Sequence, residues 1–163
     1  MPDKIQYTNE QILHDLQGIV REIAAEGFQP DLIVGIARGG LVPATMLSHY
    51  FGVPLISLNL SLRDHMVDSQ IDYATLRARL LMDQKILLVD DICDTGATFA
   101  KVIEELQSTK NKVDLSHMLN LRTVALWNNT GQTLFVPHYV GREIDKSKDD
   151  RWVIFPYEEW WKA

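Results

Sequence analysis

Two adjacent carboxylates, Asp90 and Asp91, follow the apolar run Ile86–Val89, and a short polar turn, Asp94-Thr95-Gly96-Ala97-Thr98, comes soon after them. In an open α/β sheet, ligands bind beyond the carboxyl ends of the strands, so a buried strand ending in two acids puts carboxylates at the mouth of a site. A carboxylate pair there accepts hydrogen bonds from a diol. The turn leads into a helix, where the first backbone N–H groups lack helical partners and the dipole favours an anion. Thr95 and Thr98 add hydroxyl donors, and Gly96 lets the backbone approach a ligand closely. Without the turn, an acid pair after a strand reads as a solvated turn or a helix cap. With Thr95 to Thr98 at this spacing, the stretch reads as a phosphate cradle beside a diol-binding acid pair.

Other chemistry finds little support in the residues. Cys93 sits inside the motif with no general base implied, so it reads as a small packing residue rather than a nucleophile. His14, His49, His65, His117 and His138 lack zinc-ligand spacing. There is no G-x-x-x-x-G-K-[ST] loop; Gly35, Gly39 and Gly40 do not fit G-x-G-x-x-G, and nothing resembles a nucleophile elbow.

The elements that must carry the motif follow from periodicity. Thr8 and Gln11 form a capping-box pattern; Ile12, Leu16, Ile19, Val20 and Ile23 recur at helical spacing, and Gly27 stops the run. Leu32 to Ala37 is a continuous apolar run of the kind buried on both faces of a parallel sheet. Arg38-Gly39-Gly40 is a tight turn, and Pro43 suits the first turn of a helix reaching Phe51. Strands are predicted over 55–60, 85–90 and 119–126, with helices over 73–81 and 97–107. Ser61 to Asp72, of mixed charge, reads as a loop, and Asn128 to Gly131 as a turn. Leu134 to Val140 is strand-like, and Trp152 to Phe155 is a last apolar strand before an aromatic tail. Arg142 to Arg151 carries four basic and four acidic residues and reads as a solvated loop. Alternating strands and helices predict one α/β domain over 1–163, a parallel sheet flanked by helices, with a small appendage from about residue 128 onward.

Composition narrows the partners. Sixteen Lys and Arg against 22 Asp and Glu give −6, which argues against a nucleic-acid binder needing a clustered basic face. A small phosphorylated ligand remains compatible, because backbone amides and a bound metal supply a positive field. A single cysteine allows no internal disulfide and suits a reducing cytoplasm. No stretch approaches the roughly 20 apolar residues of a membrane span, and the first residues lack the apolar region of a secretory leader.

The run Ile86–Thr98 matches, position for position, the motif of the type I phosphoribosyltransferases. Val34 to Pro43 resembles that family's pyrophosphate loop as found in xanthine and guanine members. Trp152 to Glu158 resembles the base-binding hood of the same small bacterial and archaeal enzymes. The resemblance implies transfer of a ribose 5-phosphate unit from 5-phosphoribosyl-1-pyrophosphate (PRPP) to a purine base in salvage, with Mg2+ as cofactor. It implies that Asp90 and Asp91 accept the ribose hydroxyls, directly or through the metal, with Asp91 foremost and Asp90 second as metal ligands. Asp94, Thr95, Gly96, Ala97 and Thr98 would hold the 5′-phosphate, and Asp94 would also transfer a proton near N7 of the base. Ala37, Arg38 and Gly39 would present N–H groups to pyrophosphate, at a turn where the family often has a non-proline cis peptide. Trp152, Val153 and Asn128 would contact the base, and Arg63 would reach pyrophosphate from a lid over 61–72. A homodimer or homotetramer is the family's usual assembly.

The match departs from the family in three places. Leu126-Trp127-Asn128-Asn129 has no lysine where small xanthine and guanine enzymes carry one that contacts the purine C6 oxygen. Ser61 is followed by Leu62 rather than tyrosine in the lid, and the hood carries the charged insertion 142–151. Two alternatives to a 6-oxopurine transferase stay open on these grounds: transfer to another base, and a PRPP- or nucleotide-binding regulator with little turnover. The intact Asp90, Asp91 and Asp94 favour catalysis.

Overall fold

The computed structural model describes residues 3–61, 66–67, 70–108, 112–132 and 134–162. A first short strand, β1 (Lys4–Gln6), precedes helix α1 (Asn9–Glu26), and the capping box at its start forms as predicted, with Gly27 closing it in the left-handed region at φ 72°. Strand β2 (Leu32–Ala37) and helix α2 (Leu41–Phe51) follow, then β3 (Leu55–Ser61), the two-residue β4 (Met66–Val67) and α3 (Gln70–Leu81). Next come β5 (Ile86–Cys93), α4 (Ala97–Gln107), the single turn α5 (Leu115–Met118) and β6 (Leu121–Asn129). The chain finishes with β7 (Tyr139–Ile144), β8 (Trp152–Ile154) and a 3₁₀ turn over Trp160–Lys162. No helix among the described residues is long and apolar enough to cross a membrane.

Six strands form the main sheet in the order β4-β3-β2-β5-β6-β7, parallel throughout except for β3 against β4. Alternation along β2 and β5 explains why both faces are covered. Ile33, Leu87 and Val89 face a core built with α1 and α2, while Val34, Ile36, Leu88 and their neighbours face one built with α3 and α4. From β2 the chain first adds β3 on one side and later returns to add β5 on the other. The strand order therefore reverses between β2 and β5, and the carboxyl ends of these two strands frame the crevice where such sheets bind ligands.

Four expectations change. The loop predicted over 61–72 contains β4, which pairs Leu60 with Val67, and its end is already the first turn of α3. β5 runs through both acids to Cys93, because its ladder with β6 continues to the Cys93–Asn128 pair. β6 likewise runs to Asn129, so the turn predicted over 128–131 starts later. Finally, the strand predicted over 134–140 begins at Tyr139 and extends into the supposed solvated loop, where Arg142 Nε donates to the buried Asp15 carboxylate at 2.5 Å. A formal charge sum of zero hid two cations that pair inward, Arg142 with Asp15 and Lys146 with Asp94, among local pairs such as Lys148 with Asp145. As a result β7 joins the main sheet, and the hood is a separate pair in which β8 lies parallel to β1.

His138 anchors the start of β7. Its Nδ1 accepts from the Thr123 N–H at 3.0 Å and lies 2.8 Å from the fully buried Thr123 hydroxyl. Burial, and then the Arg122 charge, hold the imidazole below its ordinary pKa, with Glu26 opposing in part. A histidine kept neutral in the fold contributes stability that is full above about pH 6.5 and is lost as pH falls below it, where the unfolded chain binds the proton first. Urea unfolding should therefore show wild-type stability falling from pH 7.5 to 5.5, with a smaller fall in His138→Asn. Parallel pH curves for the two proteins would contradict this account of the Thr123 contact.

Candidate functional site

The crevice at the carboxyl ends of β2 and β5 is a cleft of about 730 Å³. Its wall includes Ala37, Arg38 and Gly39 from the loop after β2, Asp90 and Asp91 from β5, and Asp94 to Thr98 from the turn into α4. All ten residues that the sequence singled out for PRPP thus meet in one place. The register of β2 on β5, with Gly35 opposite Val89, brings the first loop beside the acids.

Close packing explains the glycines of that loop. A Cβ on Gly39 would stand 1.9 Å from Asp91 Oδ2, and one on Gly40 would stand 2.3 Å from the Val89 carbonyl oxygen. The Ala37–Arg38 peptide is cis. At the turn into α4, Gly96 takes φ 78°, a conformation L side chains rarely adopt, and it has no side chain with which to cap the helix. The N–H of Ala97 donates to Thr95 Oγ1 at 3.3 Å. Thr95, Gly96, Ala97 and Thr98 all line the cleft at the start of α4, where the first backbone N–H groups have no partner within the helix.

Asp90 and Asp91 are 9% and 8% exposed, so two carboxyl groups share a nearly dry position. Asp90 Oδ1 accepts from the Asp91 N–H at 2.9 Å. Burial raises the Asp91 carboxyl above the ordinary carboxylate range and the Glu158 charge adds to that, while hydrogen bonds involving Asp90 and Tyr157 offset part of it. Tyr157 reaches in from the hood, donating its hydroxyl to Asp91 Oδ2 at 3.2 Å while its ring stacks on Phe155. Cys93 is buried, and that burial together with Asp90 and Asp94 pushes its thiol up to about 12, which keeps it protonated and unreactive.

A model of the phosphoribosyl transferase domain matches residues 5–159. The chain belongs to this family. Among curated members, it is 26% identical to the hypoxanthine-guanine phosphoribosyltransferase of Schizosaccharomyces pombe, across 96% of this chain and 90% of that one. It is 27% identical to xanthine phosphoribosyltransferase 1 of Saccharomyces cerevisiae, across 94% and 88%. The crystal structure of a purine phosphoribosyltransferase from Pyrococcus horikoshii Ot3 superposes with a TM-score of 0.69 at 27% identity, covering 96% of this chain and 95% of the other. The parallel sheet flanked by helices is thus the type I phosphoribosyltransferase fold.

Within this family frame the residues expected at the base divide. Trp152 and Val153 lie on β8; Val153 is buried, whereas Trp152 is 37% exposed and has the Lys146 ammonium 4.9 Å from its ring centroid. Asn128 does not line the cleft. It is buried within β6, and neither Trp152 nor Val153 lines the cleft either; the next residue, Asn129, bonds a cleft residue, donating from Nδ2 to the Asp94 carbonyl oxygen at 3.0 Å. Arg63 lies outside the described residues.

Three residues escaped sequence reasoning. Asn129 lies three residues past the strand end predicted at Leu126. Tyr157 stood in the hood motif without a role of its own. Lys146 lay in the charged insertion, yet its Nζ is 2.8 Å from Asp94 Oδ1, with both side chains only 18% exposed. A cation does stand beside the proposed proton acceptor, delivered by the hood rather than by β6.

Proposed function

We propose that this protein transfers the 5-phosphoribosyl group of PRPP to a ring nitrogen of a 6-oxopurine, releasing pyrophosphate. The observation that carries the reading is the cleft at the strand-order reversal, where a close-packed Gly39 loop, a buried acid pair and the amide-bearing start of α4 converge. The purine names of the fungal and archaeal relatives support the base class.

In this reading the Asp94–Thr98 turn binds the 5′-phosphate, and Ala37 to Gly39 present N–H groups to pyrophosphate. Asp90 and Asp91 accept the 2′ and 3′ hydroxyls, and their negative field favours the positive charge that develops on the ribose as its bond to pyrophosphate breaks. A base nitrogen forms the new bond to C1′, and Asp94 takes up the proton that the base loses. Trp152 and Val153 contact the base from the hood. The residues fit Mg2+: Asp90 and Asp91 are hard oxygen donors, two in number, which is how magnesium is usually held beside substrate phosphates. When bound, the ion would neutralise the leaving pyrophosphate. The single buried thiol suits a reducing, cytoplasmic setting.

Gly39→Ala tests the pyrophosphate loop. With no room for the methyl group beside Asp91, the loop must shift, and a displacement of about 1 Å in a positioning element costs on the order of 100-fold. The KM for PRPP should rise by at least tenfold with the melting temperature nearly kept; an unchanged KM would contradict the assignment of that loop. The reading as a whole is tested by a panel of hypoxanthine, guanine, xanthine, adenine, uracil and orotate, each with PRPP and magnesium, following pyrophosphate release. Release with 6-oxopurines alone is expected. Release with a different base, or tight PRPP binding with no release, would replace it with the corresponding alternative.

A further inference from the structure

Two distant parts of the chain meet at the Asp91 carboxylate. The loop after β2 packs against it so closely that a Cβ on Gly39 would overlap both carboxylate oxygens. From the C-terminal tail, the Tyr157 hydroxyl donates to Oδ2 at 3.2 Å. Tyr157 arrives there on a braced turn. The Glu158 N–H donates to the Phe155 carbonyl at 3.0 Å, and the Phe155 N–H donates back to Glu158 Oε2 at 3.0 Å. The Tyr157 ring stacks on Phe155 with centroids 5.4 Å apart, and Phe155 meets the Tyr7 ring edge-on at 5.6 Å. Tyr7 and Phe155 are both buried, and the Tyr7 hydroxyl donates to the buried Asp15 of α1 at 2.7 Å. The hydroxyl on Asp91 is thus the end of a packed aromatic column that starts from α1.

We propose that Tyr157 is a positioning residue, holding the Asp91 carboxylate seated on Gly39 and ready for the ribose hydroxyls of PRPP. This rests on the transferase reading above and deepens it. A carboxylate has two oxygens with about four lone-pair sites, so Asp91 can keep the phenol and still accept a substrate hydroxyl. Without the phenol, the carboxylate turns about its own torsions, and the ligand must order it at the cost of affinity. Burial sharpens the effect. Asp91 is nearly buried, so water is a poor replacement donor, and a buried acceptor that loses its partner costs more than an exposed one.

The test uses the full-length protein as wild type, Y157F, D91A and the Y157F/D91A double variant. Calorimetric titration with PRPP and magnesium reads the dissociation constant of all four, and steady-state kinetics of wild type and Y157F read KM for PRPP and for hypoxanthine. Y157F keeps the ring and its stack on Phe155 and removes only the hydroxyl. Loss of a hydrogen bond to a charged group corresponds to roughly 10- to 100-fold. Y157F should therefore weaken PRPP binding by about tenfold or more, with the KM for hypoxanthine within about threefold. In D91A nothing is left to position, so the same substitution should change PRPP binding by less than about threefold, the non-additivity of two groups acting as one. An unchanged PRPP dissociation constant in Y157F would overturn the proposal. Equal weakening with and without Asp91 would also overturn it, by making the hydroxyl a direct contact of PRPP. Equal weakening of PRPP and hypoxanthine, or a Y157F protein too unstable to titrate, would leave Tyr157 a purely structural residue. Failure of the transferase reading looks different: the wild-type protein would release no pyrophosphate with any base.

Discussion

Asp94→Asn protein is expected to bind PRPP within about threefold of wild type and to turn over a purine on the order of 100- to 10,000-fold more slowly, the range seen when a positioned general acid–base group is removed. The argument rests on what the substitution preserves. An asparagine keeps the side-chain shape, and the backbone carbonyl that accepts from Asn129 is untouched. The turn from Asp94 into α4, with Gly96 in the left-handed region, is set by backbone geometry rather than by the carboxylate, so the phosphate cradle survives. What disappears is the group able to accept the base proton, together with the anion that Lys146 contacts. Single-turnover kinetics beside PRPP titration separate the two effects. Wild-type turnover in Asp94→Asn would sink the proton-transfer assignment, and a large loss of PRPP affinity would move Asp94 from chemistry to binding.

Asp91→Asn should damage activity and improve stability together. Asp91 is nearly buried beside Asp90 and in the field of Glu158, and its carboxyl titrates above the ordinary range. A carboxyl whose folded pKa lies above its unfolded one stabilises the fold fully only at low pH. That contribution is lost as pH rises through the folded value, so at neutral pH the group is a net cost. The neutral amide removes the cost and can still accept the Tyr157 hydroxyl. Relief of about 1 kcal/mol, typical when a functional site is relaxed, would raise the melting temperature by about 2–4 °C in a chain of this size. Over the same change, kcat/KM for PRPP should fall by at least 100-fold, since the ribose hydroxyls and the magnesium lose a charged acceptor. A melting temperature that drops by several degrees would show that Asp91 is held for the fold, and an unimpaired kcat/KM would remove it from the site.

How far the residues foretell the structure depends on whether the governing interactions are local. Ile86 to Val89, the Asp94–Thr98 turn and the helical spacing after Ala97 lie within a few residues of one another, and strand, turn and helix form where predicted. The Thr8–Gln11 box and Gly27 are equally local, and both ends of α1 follow them. The hood behaves differently. Arg142 answers Asp15, Lys146 answers Asp94, and β8 finds its partner in β1 at the opposite end of the chain. Such pairs leave no periodic trace, so a stretch of alternating charges reads as solvent-facing until tertiary contacts reveal its partners. The ends of β5 and β6 lie beyond their predicted positions for a related reason. Acids and asparagines end a strand by local preference, but here the ladder between the two strands carries them onward to Cys93 and Asn129.

The most direct test of the central claim is the identity of the product. Wild-type protein at a concentration above that of PRPP, with magnesium and hypoxanthine, would be quenched after a single turnover and its small molecules separated and weighed by mass spectrometry. The account predicts one purine nucleoside monophosphate and one pyrophosphate for each PRPP consumed. Recovery of intact PRPP and free hypoxanthine, from protein shown to have bound both, would contradict it.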